Sequence, residues 1–126
     1  MPSDQSVFSS RAAVLVVDDD ADVREVAVKF LTAIGITVFD AETGAGALAP
    51  LDRHPEIGVL FSDVRMAGGM NGIELAAEAR QRRPDLQIVM TSGHVGGAVI
   101  HDLEFLPKPY HLRDLAWKII AKLKIP

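Results

Sequence analysis

The chain has 126 residues, 48% of them hydrophobic and 24% charged, with a formal net charge of −4. That length suits one domain with a proper core, and the acidic balance, without any basic run, argues against direct binding of nucleic acid. The absence of cysteine excludes disulfides and thiolate metal sites, and no apolar run nears the ~20 residues of a membrane span.

The first ten residues, MPSDQSVFSS, lack the basic and apolar regions of a secretory signal. They read as a disordered tail, followed by a soluble cytoplasmic domain over 11–126. AAVLVV (12–17) is fully apolar and predicts a buried strand. From Asp22, the residues Val23, Val26, Ala27, Phe30, Leu31 and Ile34 fall at helical spacing along one face, and Gly35 stops the helix. ITVFDA (36–41) predicts a second strand, after which Thr43 is a candidate cap for a helix carrying Ala47, Leu48 and Leu51 and broken by Pro55. IGVLFSD (57–63) predicts a third strand. The glycine-rich loop VRMAGGMNG follows, and then a helix capped by Asn71 that carries Ile73, Leu75, Ala76 and Ala79. LQIVMTS (86–92) predicts a fourth strand and LEFLPKP (103–109) a brief fifth, with room between them for only a short helix. The last helix carries Leu112, Leu115, Ala116, Ile119, Ile120 and Leu123, with Trp117 off that stripe as a candidate contact surface.

Five β-α repeats with continuously apolar strands imply a parallel sheet covered by helices on both faces. Chemistry in such sheets gathers at the carboxyl ends of the strands. Those ends carry Asp18, Asp19 and Asp20; Asp63; Thr91 and Ser92; and Lys108 between two prolines. Neighbouring carboxylates need a counter-charge. An all-oxygen set without cysteine or clustered histidine points to Mg²⁺ or a similar hard cation. Such a cation, a lysine and a hydroxyl together suit a phosphoryl group, with Asp63 as the acceptor that becomes an acyl phosphate.

VLVVDDD, FSDVRM, VMTSGH and FLPKPY, in this order and spacing, resemble the motifs of response-regulator receiver domains of two-component signalling. The resemblance runs from about Arg11 to Lys124, and the style of the glycine-rich loop and of TSGH is similar to receivers of hybrid histidine kinases. It implies a flavodoxin-like (βα)5 doubly wound fold with strand order 2-1-3-4-5. It implies that Asp63 accepts the phosphoryl group, and that Asp19 and Asp63 ligate Mg²⁺ directly, Asp18 through water and Arg65 through its backbone carbonyl. By the same resemblance Lys108 is the phosphate-binding lysine and precedes a cis proline. Ser92 rather than Thr91 is the switch hydroxyl, Phe105 the switch aromatic, and Arg65 and His94 modulate hydrolysis. The implied partners are a histidine kinase or histidine phosphotransfer protein and a downstream protein or fused kinase module, with neither nucleic acid nor membrane bound directly and a homodimer left open. The implied role is a switch that catalyses only its own phosphorylation and dephosphorylation. Its output face is built from the fourth helix, fifth strand and fifth helix.

Two departures stand out. Ala67 occupies a position where the family usually has proline, in a loop one residue longer than usual. The Ser92–Lys108 segment is several residues short, so a truncated fourth helix is expected. A competing reading is a small Mg²⁺-dependent phosphatase of haloacid-dehalogenase type, whose Asp-x-Asp is imitated by Asp18 and Asp20; a third is a binding module with a vestigial site. The plainest alternative makes the aspartates mere helix caps favoured by the macrodipole.

Overall fold

The computed structural model describes residues 12–66, 68–93 and 103–123. Nine elements follow one another: β1 (Ala13–Val17), α1 (Ala21–Ala33), β2 (Thr37–Ala41), α2 (Gly44–Arg53), β3 (Ile57–Asp63), α3 (Gly72–Arg82), β4 (Gln87–Ser92), β5 (Glu104–Pro107) and α4 (Leu112–Lys122). The expected truncated fourth helix and disordered tail, with Ala67 and His94, all fall outside the described residues. The strands form one parallel sheet in the order β2-β1-β3-β4-β5, as expected.

The central strands are apolar throughout because both their faces are covered. Leu15 and Val17 join Leu60, Met90 and the helices α2 and α3 on one side. Val14 and Val16 join Val59, Phe61, Val89 and the helices α1 and α4 on the other. Every residue of β1 is at most 1% exposed, and each large aliphatic side chain so buried contributes roughly 1.5–3 kcal/mol.

Pairing of β1 with β3 shifts by one residue, from Ala13↔Ile57 to Val14↔Val59, so that Gly58 is passed over. A residue without a side chain suits such a bulge. The shift places Val17 opposite Ser62, and one step further along brings Asp18 level with Asp63. Because side chains alternate along a strand, an unshifted register would put these two acids on opposite faces of the sheet.

Local signals place the helices. Asp20 is the N-cap of α1, accepting from the backbone N–H groups of Asp22 (3.0 Å) and Val23 (3.2 Å). Thr43 caps α2, and Asn71 forms a capping box with Glu74 on α3. Gly35 follows α1 with φ at +98°, a conformation that favours glycine. Pro50 lies inside α2, which nevertheless continues to Arg53. The apolar stripes are narrower than their spacing suggests. Val26 (52% exposed), Ile34 (45%), Ile73 (40%) and Ile120 (42%) lie at the rims of their helices rather than in the core. Among the described residues, no helix is long and apolar enough to cross a membrane.

Candidate functional site

The residues singled out at the strand ends form one polar row. Asp18 continues the face of Val14 and Val16, Asp63 that of Val59 and Phe61, Thr91 that of Val89, and Lys108 that of Leu106. Apolar packing of that face therefore carries the four side chains to its carboxyl edge. Backbone bonds hold the positions. Asp18 N–H donates to the Ala41 carbonyl (3.2 Å), Val64 N–H to that of Thr91 (2.8 Å), and Lys108 N–H to that of Ser92 (3.0 Å). The Lys108–Pro109 peptide is cis.

At the centre, the Lys108 ammonium donates to Asp63 Oδ2 at 2.7 Å and to Asp18 Oδ2 at 3.1 Å. The other carboxylate oxygens are also engaged: Asp63 Oδ1 accepts from Arg65 N–H (3.1 Å), and Asp18 Oδ1 from Asp20 N–H (2.9 Å). Asp18 is 4% exposed and Asp63 8%. Charges this sheltered from water need a partner. Burial works to lower the Lys108 pKa, but the hydrogen bonds to Asp63 and Asp18 outweigh it, leaving the ammonium above its ordinary value. Tyr110, edge-on to Phe61 with ring centroids 5.7 Å apart, has its hydroxyl pKa raised chiefly by burial.

One oxygen from each of Asp18, Asp19 and Asp63 lies within 4.8 Å of the others. Three carboxylates against one ammonium leave negative charge to spare, in an all-oxygen donor set of the kind a hard divalent cation takes. The geometry thus fits the expected Mg²⁺. Asp19 is the exposed member of the group, whereas Asp18 and Asp63 are buried.

Of the remaining expected residues, Ser92 is buried at 5% exposure and lies at the end of β4, next to Lys108's backbone. Phe105 is 36% exposed on β5, so it is no core residue. Trp117, at 66%, is exposed as its position off the stripe predicts. The haloacid-dehalogenase reading finds no support: Asp20, the second acid of its motif, is engaged as the cap of α1.

Three contributors were not legible as such. Arg24 reaches back to the Asp18 carbonyl (2.7 Å) and pairs with Asp40 (3.1 Å), pinning the acidic loop to β2; nothing in its local sequence marks it. Gly72, last residue of the glycine-rich loop in the sequence, lies against the acceptor: a Cβ there would sit 2.0 Å from the Asp63 carbonyl oxygen. Thr91, passed over in favour of Ser92, is 1% exposed with a hydroxyl that has no hydrogen-bond partner among the described residues.

Comparison with known proteins agrees with this geometry. The family model for the response regulator receiver domain matches residues 14–119. The response regulator receiver protein CpdR of Brucella abortus (strain 2308) is 37% identical over 112 residues, covering 84% of this chain and 92% of that protein. The sensor kinase CckA of the same organism is 36% identical over 124 residues; these make up 93% of this chain but only 13% of the kinase. The crystal structure of the receiver domain from hybrid histidine kinase CckA superposes with a TM-score of 0.78 at 33% identity, covering 89% of this chain and 99% of that one. With the family model matched over residues 14–119 and relatives of 36–37% identity covering most of its length, the chain belongs to the response regulator receiver domain family, related to the receivers of hybrid histidine kinases.

Proposed function

We propose that this receiver takes a phosphoryl group from the phosphohistidine of a histidine kinase or histidine phosphotransfer protein onto Asp63. The observation that carries the reading is the Lys108 ammonium, 2.7 Å from Asp63 and 3.1 Å from Asp18. A buried carboxylate thereby has a cation beside it, ready for the charge of an incoming group. Asp18, Asp19, Asp63 and the Arg65 carbonyl would hold Mg²⁺, which when bound neutralises the charge on the phosphoryl oxygens.

The chain's own groups divide the work. Asp63 supplies the attacking oxygen, and its Oδ1 is oriented by Arg65 N–H. Lys108 meets a phosphoryl oxygen as a compact point charge. The Ser92 hydroxyl meets another, and Phe105, exposed on β5, responds as the switch aromatic. Arg65 and His94 modulate the lifetime of the acyl phosphate. A cleft of about 600 Å³ opens beside Lys108, lined by Val23, Val26, Pro109, Tyr110 and Leu112. Its apolar walls suit the docking of a partner helix that presents the phosphohistidine. The downstream partner is a separate protein or a fused kinase module.

The test is labelling with acetyl phosphate and Mg²⁺, with the modified residue located by mass spectrometry. Wild-type protein gains one phosphoryl group on Asp63, whereas Asp63→Asn gains none. Equal labelling of the variant would refute the assignment, and sustained turnover of phosphomonoesters would restore the phosphatase reading.

A further inference from the structure

Thr91 is the polar member of the row that the chemistry above leaves unused. Its hydroxyl oxygen is buried and has no hydrogen-bond partner among the described residues. A buried hydroxyl left unpaired costs stability, so such a group calls for a reason. Valine, which stands two residues earlier on the same face as Val89, would fill the same shape without that cost. Ser92, next along the chain, is already engaged in the resting structure.

The position of Thr91 supplies the reason. It is in register with Asp63 on β3 and with Leu106 on β5, two residues before Lys108. Paired residues of neighbouring parallel strands share a face. Thr91 therefore lies in the row between the acceptor and the strand that delivers the lysine. In the resting chain, the Lys108 ammonium uses two of its three donors on Asp63 and Asp18. Phosphorylation removes the stronger of these acceptors. As the bond from an Asp63 oxygen to phosphorus forms, the bond from phosphorus to the donor's histidine nitrogen or acetate oxygen breaks. The leaving group takes that electron pair. Asp63 changes from a carboxylate to the acyl part of a mixed anhydride, a far weaker partner for an ammonium.

We propose that Thr91 is a positioning residue for phosphoryl transfer: its hydroxyl oxygen accepts from the Lys108 ammonium as Asp63 loses its charge, keeping the lysine beside the phosphoryl group. The inference rests on Asp63 being the acceptor. At rest the ammonium is held on the two carboxylates and does not reach the hydroxyl; once it turns to a phosphoryl oxygen, one of its remaining donors is available to Thr91.

The test compares wild type, Thr91→Val and Thr91→Ser in two measurements: the urea midpoint of the unphosphorylated protein, and the rate of acyl-phosphate formation from acetyl phosphate with Mg²⁺. Thr91→Val is expected to keep or raise the urea midpoint while slowing formation about fivefold, the effect of one lost hydrogen bond. Thr91→Ser, which restores a hydroxyl, recovers the wild-type rate. A rate for Thr91→Val within about twofold of wild type overturns the inference. So does a fall in its midpoint, which would mean that the hydroxyl is already bonded at rest. Failure of the wild type itself to label Asp63 would instead overturn the acceptor assignment on which the inference stands.

Discussion

Replacing Lys108 with methionine keeps the shape of the stem and removes the charge that two buried acids share. At 2.7 and 3.1 Å, and with an effective dielectric of about 20, the two attractions are worth ~6 and ~5 kcal/mol before any desolvation. Most of that is offset. The lysine no longer has to be desolvated, and its side chain is still 22% exposed. Breaking a fully buried pair costs ~3–5 kcal/mol, so for this partly open one a net loss of about 2–3 kcal/mol is expected. For a chain of this size that corresponds to a fall in Tm of roughly 8–12 °C. Melting in the presence of a chelator reads this loss directly. Millimolar Mg²⁺ should then raise the Tm of the variant more than that of the wild type, because the cation no longer competes with an internal ammonium for the same oxygens. The pH dependence carries a sign of its own. The folded pKa of Lys108 lies above its unfolded value. Its contribution is therefore complete below about pH 10.4 and disappears as pH rises through the folded value, so on the alkaline side the gap between wild type and variant narrows through that range. A variant melting within about 2 °C of wild type in chelator would refute the electrostatic reasoning.

Further outcomes follow from the same geometry. Asp19→Asn should abolish the Mg²⁺-dependent rise in Tm, and a rise equal to that of the wild type would remove Asp19 from the metal site. Gly72→Ala should destabilise by about 3 kcal/mol or more in urea titration, because its Cβ would fall 2.0 Å from the Asp63 carbonyl and 2.8 Å from Met90 Cε, and backbone must move. Arg24→Ala should loosen the acidic loop, seen as faster hydrogen exchange at Asp19 and Asp20, since it removes the donor to the Asp18 carbonyl. Glu104→Gln should cost no more than about 1 kcal/mol. The hydrogen bonds from Lys118 and Lys122 lower the Glu104 pKa, so this difference is present above about pH 4.3 and vanishes as pH falls through the folded value. An unchanged difference at lower pH would exclude those pairs as its source.

Much of this molecule is written locally. The continuous apolar runs could be buried only as central strands of a sheet covered on both faces, and their acidic and basic ends had to meet at one edge. Thr43 and Asn71 were legible as caps because a cap uses backbone donors within three residues of itself. The acids and the lysine that meet were legible as candidates because their chemistry is a matter of residue type at strand ends. The exposed rims at Val26 and Ile120 were not, since periodicity tells which face turns inward but not how far the neighbouring elements reach over it. Nor was the pairing of Asp18 with Asp63. It depends on a one-residue shift at Gly58 between strands far apart in sequence, and without it the two acids would point to opposite faces. Thr91 makes the same point at a single atom. Its type is plain in the sequence, but that its hydroxyl is buried beside the acceptor and left unpaired is decided by three strands in register. Local sequence sets the conformation and chemistry of each segment; which groups come face to face is set by register and packing, which depend on the whole chain at once.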